Sequence, residues 1–213
     1  MSIVKNSNGR TIMLNIVKSI QENKQHLGDI DGLIGDGDHG MNMNKGFSLY
    51  GEQLGDNETS FTDGLFDLGM ILLNKIGGSM GPIYGTLFID MSDAANDADE
   101  ITIPLLINMF DAGQAGLYEI VNARPGDKTL VDALYPAIEA LKIAAKNNKS
   151  FPEALSEMKE AARNGRDSTK DLVAKFGRAA RLGERSRGVL DAGATSCCII
   201  LEAMADGMIS VME

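Results

Sequence analysis

Residues 31–44 have the sequence DGLIGDGDHGMNMN, in which aspartates and glycines are interleaved. Asp31, Asp36 and Asp38 fall close together, and the glycines among them permit backbone turns that a Cβ atom forbids. A tightly turning loop can therefore direct all three carboxylates at one point. Like charges at one point repel each other unless a cation lies between them. The stretch predicts a site for a hard divalent cation, Mg²⁺ or Ca²⁺ rather than Zn²⁺.

Two simpler explanations apply to the same stretch. Asp-Gly pairs are common in surface turns, so an ordinary turn remains an alternative. An EF-hand loop needs Gly at its sixth position and Glu at its twelfth. A frame that starts at Asp31 places Asp36 and Asn42 there, and one that starts at Asp36 has no glycine or glutamate either. The EF-hand is excluded, whereas a calcium-binding helical protein of another kind stays open.

Helical periodicity extends on both sides of this loop and along most of the chain. Apolar residues recur every three or four positions, and alternating strand patterns are almost absent. The predicted helices cover about 8–26, 42–54, 62–76, 82–91, 104–121, 129–146, 151–169 and 194–211, with a short helix or turn over 170–181 and loops that include 92–100. We expect an all-α barrel or bundle of about eight antiparallel amphipathic helices, forming a single domain over residues 1–213.

Antiparallel helices place every second connection at the same end of a bundle. The connections so grouped are 28–40, 77–81, 123–128 and 183–193, and they are also rich in Gly, Asp and Arg. We therefore expect the functional site in the loops at one end.

The second of these loops, Gly77-Gly-Ser-Met-Gly-Pro82, precedes a predicted helix. Free N–H groups and the positive end of the helix dipole favour an anion there, although a simple helix start capped by Ser79 is the alternative. Four arginines, which suit phosphate or form a solvated basic face, cluster near the last loop: Arg178, Arg181, Arg185 and Arg187. Together these features predict a nucleotide or polyphosphate site that contains magnesium.

Composition excludes several other classes. A net charge of −10 over 213 residues disfavours nucleic acid and anionic membrane surfaces as partners. The only cysteines, Cys197 and Cys198, are adjacent in an apolar run, which favours buried free thiols and a reducing compartment. The N-terminus lacks the apolar core of a signal peptide, and no run approaches the roughly 20 apolar residues of a membrane span. We expect a cytoplasmic protein.

Four motifs, at residues 35–47, 77–86, 125–129 and 183–196, occur in the order found in the DhaL family. The chain resembles this nucleotide-binding subunit, or C-terminal domain, of dihydroxyacetone kinases over essentially its whole length. The resemblance implies an eight-helix barrel with the nucleotide and two Mg²⁺ ions at one end, and Asp31, Asp36 and Asp38 as metal ligands. The nucleotide-binding positions that it implies are His39, Gly40, Met41, Asn42, Gly78, Ser79, Met80, Leu130, Arg178, Asp191, Ala192 and Gly193.

The resemblance also implies a function. A free-standing chain is similar to the bacterial phosphotransferase-system form, in which a DhaM protein rephosphorylates bound ADP and a DhaK subunit holds dihydroxyacetone covalently. No catalytic residue is assigned here, because the ketose lies on that other subunit. The alternatives are an ATP-dependent ketose kinase subunit that exchanges its nucleotide, and an ADP-bound module that acts on a transcription regulator. Met41 and Met80 stand where hydroxyl residues are common, which affects the expected phosphate contacts.

Overall fold

The computed structural model describes residues 3–95 and 97–212. The periodic segments form nine α-helices in this part of the chain, which confirms the all-α prediction. The helices are α1 Gly9–Glu22, α2 Lys24–Ile34, α3 His39–Leu54, α4 Phe61–Lys75, α5 Met80–Asp93, α6 Ile103–Ile120, α7 Val131–Lys146, α8 Phe151–Ser168 and α9 Ala192–Ser210. A short ribbon joins β1 (Val4–Lys5) to β2 (Glu100–Ile101) in antiparallel register.

Helix α8 illustrates why these segments fold as they do. Ser150 and Glu153 form the capping box at its start, with the Ser150 N–H donating to Glu153 Oε2 at 2.9 Å. Phe151, Leu155 and Met158 recur at helical spacing and are buried. The apolar stripe is therefore turned to the core, and the charged face is left to solvent.

The helices form a closed ring in which α3 to α9 each pack on the next. Helix α9 closes the ring against α1, where Asn15 Nδ2 donates to the Ala203 carbonyl at 2.6 Å. Helices α1, α7 and α8 surround α9, which alone among the described helices has the length and hydropathy of a membrane span. Because 78% of that span is buried in the protein, α9 serves as a core helix.

Glycines allow a close approach between helices α4 and α5. A Cβ atom on Gly69 would lie 2.9 Å from the Gly85 carbonyl oxygen, and one on Gly85 would lie 3.0 Å from the Gly69 oxygen. The two backbones therefore touch, and a side chain at either position would require the neighbouring atoms to move.

The predicted helix over residues 8–26 is interrupted at Asn23. The chain breaks at Asn23, whose side chain donates to the Ser19 carbonyl at 2.8 Å, and a new helix then continues to Ile34. Much of the predicted loop over residues 28–40 is consequently helical, and Asp31 lies on α2. Asn and Asp side chains compete for backbone groups in this way at helix ends.

Several predicted boundaries also move. Helix α4 begins at Phe61, one residue before its predicted start, because Ser60 caps it by accepting the Asp63 N–H on its Oγ at 3.0 Å. Helix α5 begins at Met80, before Pro82, and runs into the predicted loop over residues 92–100, where Ser92 is buried. The ribbon was not predicted, because its two-residue strands are too short to show alternation. Asn96 of that predicted loop and residues 1, 2 and 213 of the predicted domain lie outside the described residues.

Candidate functional site

The three aspartates converge as predicted. Asp31 lies near the end of α2, and Asp36 and Asp38 lie in the connection to α3. Each offers a carboxylate oxygen, and these oxygens all lie within 4.8 Å of one another. Gly35 makes this possible, because a Cβ atom there would collide with the Asp31 carboxylate. Gly37, with φ of +77°, provides the turn between the other two aspartates.

Arg178 reaches the same cluster from the long connection between α8 and α9. Its guanidinium forms an ion pair with Asp36 and lies 4.0 Å from Asp38 Oδ2. The Asp36 and Asp38 side chains are 35% and 47% exposed, so the cluster is open to solvent and to a ligand. Of the arginines in the predicted cluster, Arg178 contacts the carboxylates, whereas Arg187 pairs with Glu184.

The carboxylate cluster fits a magnesium ion in its chemistry. Carboxylate oxygens are the hard ligands that Mg²⁺ prefers, and Mg²⁺ keeps several positions for water or phosphate oxygens. A partly exposed cluster of three carboxylates supplies the ligands and leaves those positions open. The Asp31 carboxylate also accepts the His39 N–H at 3.2 Å, which fixes it relative to α3.

His39 begins a chain of hydrogen bonds through the interior. Its Nε2 lies 2.8 Å from Ser196 Oγ, which in turn lies 2.7 Å from the Tyr84 hydroxyl. Tyr84 also donates to the Gly193 carbonyl at 3.2 Å. Burial lowers the pKa of His39 to about 4, although Asp31 opposes this shift, so the imidazole is neutral at pH 7. The chain links the starts of α3, α5 and α9.

The predicted positions at the start of α9 are also brought together. Asp191 caps this helix, with its Oδ2 accepting the Ala194 N–H at 2.7 Å. A Cβ atom on Gly193 would lie 3.4 Å from the Leu130 N atom, so the Gly193 and Leu130 backbones are neighbours. Burial raises the pKa of Asp191 to about 7, while the Ala194 N–H and the Lys128 charge oppose the shift. Ala192 is buried beside them.

The glycine loop before α5 is open. Nothing lies within 4 Å of a Cβ atom built on Gly78, whose φ is +73°. Ser79 occupies the cap position of α5, yet its side chain makes no capping hydrogen bond within the described residues. The simple cap alternative is therefore not supported. Met80 packs against the core, so this position offers its backbone rather than its side chain.

The predicted residues at the start of α3 differ in their surroundings. Gly40 is buried where α3 crosses α2, and a Cβ atom there would collide with the Lys24 carbonyl. Met41 is 56% exposed. The Asn42 N–H donates to the Asp38 carbonyl at 3.0 Å, which ties the first turn of α3 to the carboxylate loop.

Comparison with known proteins identifies the family. Residues 33–206 match the model of the DAK2 domain. The chain belongs to the DAK2 domain family. It is 39% identical over 184 residues to the PEP-dependent dihydroxyacetone kinase, ADP-binding subunit DhaL, of Escherichia coli (strain K12). That alignment covers 85% of this chain and 87% of the E. coli protein. It is 38% identical over 192 residues to the PEP-dependent dihydroxyacetone kinase 1, ADP-binding subunit DhaL, of Listeria innocua serovar 6a, over 90% and 91% of the two chains.

The DAK2 fold also matches a solved structure. The dihydroxyacetone kinase from C. freundii, solved in complex with AMP-PNP and Mg²⁺, superposes on 92% of this chain with a TM-score of 0.67 at 22% identity. The chain covers 33% of that longer protein. The family inferred from the four sequence motifs is thus confirmed, and the similar proteins are kinase subunits and kinases.

Three buried residues of this DAK2 domain were missed by sequence reasoning as part of the site. Ser196 lies in the motif at residues 183–196, but nothing in the sequence distinguishes its hydroxyl from that of an ordinary residue at a helix start. Tyr84 is an apolar-face position of α5, and its partner lies 112 positions away. Lys128 lies in a predicted loop, where a lysine is expected to be exposed, yet it is 1% exposed.

Proposed function

We propose that this DAK2 domain is the ADP-binding phosphotransferase subunit of a dihydroxyacetone kinase. It receives a phosphoryl group from a phosphotransferase-system protein of the DhaM type and passes it to dihydroxyacetone on a DhaK-type subunit. The chain works as a single domain in the cytoplasm. The relatives named as ADP-binding subunits support this proposal, and the observation that carries it is the convergence of Asp31, Asp36 and Asp38 beside Arg178.

The proposed chemistry depends on positioning. Asp31, Asp36 and Asp38 hold magnesium through their clustered carboxylates, with two ions expected. Magnesium neutralises charge on the bridging phosphate oxygens when it is bound. Arg178 offers forked donors to the same phosphates, and the open N–H groups around Ser79 face the anion at the start of α5.

The remaining proposed contacts surround the nucleotide. The first turn of α3 (residues 39–42) and the glycine loop (Gly78, Ser79 and Met80) lie on the phosphate side. Leu130 and residues 191–193 form the neighbouring wall. This chain supplies no general base in the proposal, because the accepting hydroxyl belongs to a ketose held by the other subunit.

Magnesium-dependent ADP binding tests the proposal. Titration calorimetry should give tight binding of ADP to the wild type with Mg²⁺ and a large loss with EDTA. Asp36→Asn and Asp38→Asn should each weaken binding by roughly a hundredfold, because a charged ligand of the cation is lost. Asp56→Asn is the matched control, because Asp56 is fully exposed and lies outside the carboxylate cluster. Its carboxylate lies 3.9 Å from the Arg10 guanidinium. Unchanged ADP affinity in both site variants would overturn the proposal.

A further inference from the structure

The connection between α8 and α9 contains a loop over residues 170–188 whose two ends lie together. The Gly188 N–H donates to the Lys170 carbonyl at 2.7 Å, and the Arg187 guanidinium donates to the Asp171 carbonyl. Just outside these pairs, the Asp191 N–H donates to Thr169 Oγ1 at 3.0 Å. A loop closed at its base moves as a unit rather than as a flexible tether.

Lys128 lies at this base. Its Nζ donates to the Thr169 carbonyl at 2.6 Å and to the Val189 carbonyl at 2.5 Å, so one ammonium group bridges both ends of the loop. The side chain is 1% exposed, and no carboxylate forms an ion pair with it among residues 3–95 and 97–212. Lys128 also has a φ of +61°, which is uncommon for a residue other than glycine.

A buried ammonium held only by carbonyl oxygens is costly, since burying a charge is unfavourable unless strong hydrogen bonds compensate. An apolar residue would avoid the cost of the buried charge, but it would leave the Thr169 and Val189 carbonyls without this donor. The position therefore favours a group that can donate to two carbonyls at once. Arginine cannot reproduce this compact contact with two carbonyls, because its donors are spread over a planar guanidinium. Leucine has no donor at all.

The residue before Lys128 adds a further attachment. Asp127 accepts from the Lys175 ammonium at 2.6 Å, and the Lys175 N–H donates to the Asp127 carbonyl at 3.2 Å. Inside the loop, Ser186 Oγ accepts the Ala174 N–H at 3.0 Å. The loop is thus held at its base and at Lys175, and its next turn carries Arg178 to Asp36.

We infer that Lys128 is a positioning residue of the nucleotide site, which closes the base of loop 170–188 and so holds Arg178 over the carboxylates. The inference rests on the proposed function for its effect on nucleotide, but its effect on the loop is independent of it. When Lys128 is replaced by an apolar residue, the base opens and Arg178 leaves the cluster. Bound Mg-ADP then dissociates faster.

Limited trypsin digestion tests the loop directly. The loop contains six exposed cleavage sites, namely Lys170, Lys175, Arg178, Arg181, Arg185 and Arg187. Cleavage within the loop, mapped by mass spectrometry, should be at least about tenfold faster in Lys128→Met than in wild type, because opening of the base becomes more favourable. Lys142→Met is the matched control, since Lys142 pairs with Asp111 and Glu139 on the barrel wall. Unchanged loop cleavage in a folded Lys128→Met protein would overturn the inference.

Release of fluorescent mant-ADP with Mg²⁺ provides the second measurement. Lys128→Met should release it about tenfold faster than wild type, and Lys128→Met should add nothing in an Arg178→Ala background. If the two substitutions instead multiply each other's effect on the release rate, Lys128 acts on stability alone and the inference is overturned. If Lys128→Met does not fold, Lys128→Gln takes its place with a smaller increase expected. A wild type that binds no Mg-ADP would refute the proposed function, while the digestion result would still decide the role of Lys128 in the loop.

Discussion

The imidazole Nε2 of His39 lies 2.8 Å from the hydroxyl oxygen of Ser196. This contact ties the residue that follows the carboxylate loop to the interior of α9, and Ser196 passes the connection on to Tyr84 on α5. Helices α3, α5 and α9, which begin at or beside predicted nucleotide contacts, are therefore linked by the side chains of His39, Tyr84 and Ser196. Buried networks of this kind restrict the relative positions of the elements that they join.

Removing the middle of this network should affect both stability and binding. Ser196→Ala leaves His39 Nε2 without its buried partner, which should lower the free energy of unfolding by about 1–3 kcal/mol. Ser92→Ala is the control, because Ser92 is also buried on a helix and donates to the Thr62 carbonyl at 2.8 Å, far from the site. Urea unfolding should show a loss in both variants, whereas only Ser196→Ala should weaken Mg-ADP binding. Equal ADP affinity in the two variants would contradict a role of the network in the site.

Two buried tyrosines should respond differently to loss of the hydroxyl. The Tyr50 hydroxyl is buried and has no hydrogen-bond partner in the described part of the chain, so Tyr50→Phe should leave stability unchanged or raise it by up to about 1 kcal/mol. Tyr84→Phe loses contacts with Ser196 and the Gly193 carbonyl, and should cost about 1–2 kcal/mol. Denaturant unfolding measures both. A larger loss in Tyr50→Phe than in Tyr84→Phe would reveal an ordered partner for Tyr50.

Glycine substitutions test the close approach of α4 and α5. A Cβ atom on Gly69 would lie 2.8 Å from Ile89 Cγ1 and 2.9 Å from the Gly85 carbonyl, so Gly69→Ala should cost about 1–3 kcal/mol through overpacking. Gly51→Ala, inside α3, meets only Val17 Cγ1 at 3.3 Å and should be neutral or stabilising by up to about 1 kcal/mol. Thermal unfolding of the two variants should move in different directions. A tolerated alanine at position 69 would show that the helices separate more easily than the packing indicates.

Asp191 should make stability depend on pH in the nucleotide-free protein. Its pKa is about 7 in the folded protein, against 3.8 for the free group. Between these values the unfolded state loses the proton while the folded state keeps it, so the contribution of Asp191 to stability falls as pH rises from about 4 to 7. Asp191→Asn keeps a cap acceptor for the Ala194 N–H and removes the titration.

The free energy of unfolding of Asp191→Asn relative to wild type should therefore grow between pH 4 and pH 7, by at most about 4 kcal/mol, and then level off. Urea titrations at several pH values measure the difference. A difference that is flat, or that shrinks as pH rises, would contradict the raised pKa of Asp191.

The helices and the carboxylate cluster could be predicted because their signals are local. Periodic apolar residues define most helices, and the three aspartates lie near each other in sequence. The break at Asn23 could not be predicted, since hydrophobic periodicity continues across it and a single side-chain contact with Ser19 ends the helix. The position of Asp31 on α2 follows from that break.

The contacts that join distant parts of the chain were beyond sequence reasoning. His39 and Ser196 are 157 positions apart, and only the closed ring brings α3 and α9 together. Lys128 is a stronger case, because a charged residue beside glycine and aspartate is normally exposed. Its burial depends on two carbonyls of the loop before α9, whose positions no local pattern specifies.

The most direct test of the central claim is to denature the protein as purified and identify what it releases. The account predicts ADP together with magnesium, about one nucleotide per chain. Nucleotide-free protein that takes up ATP reversibly with Mg²⁺ would favour the exchanging kinase instead. A protein that releases no nucleotide, and takes up neither ADP nor ATP with Mg²⁺, would contradict the claim that these carboxylates and Arg178 form a nucleotide site.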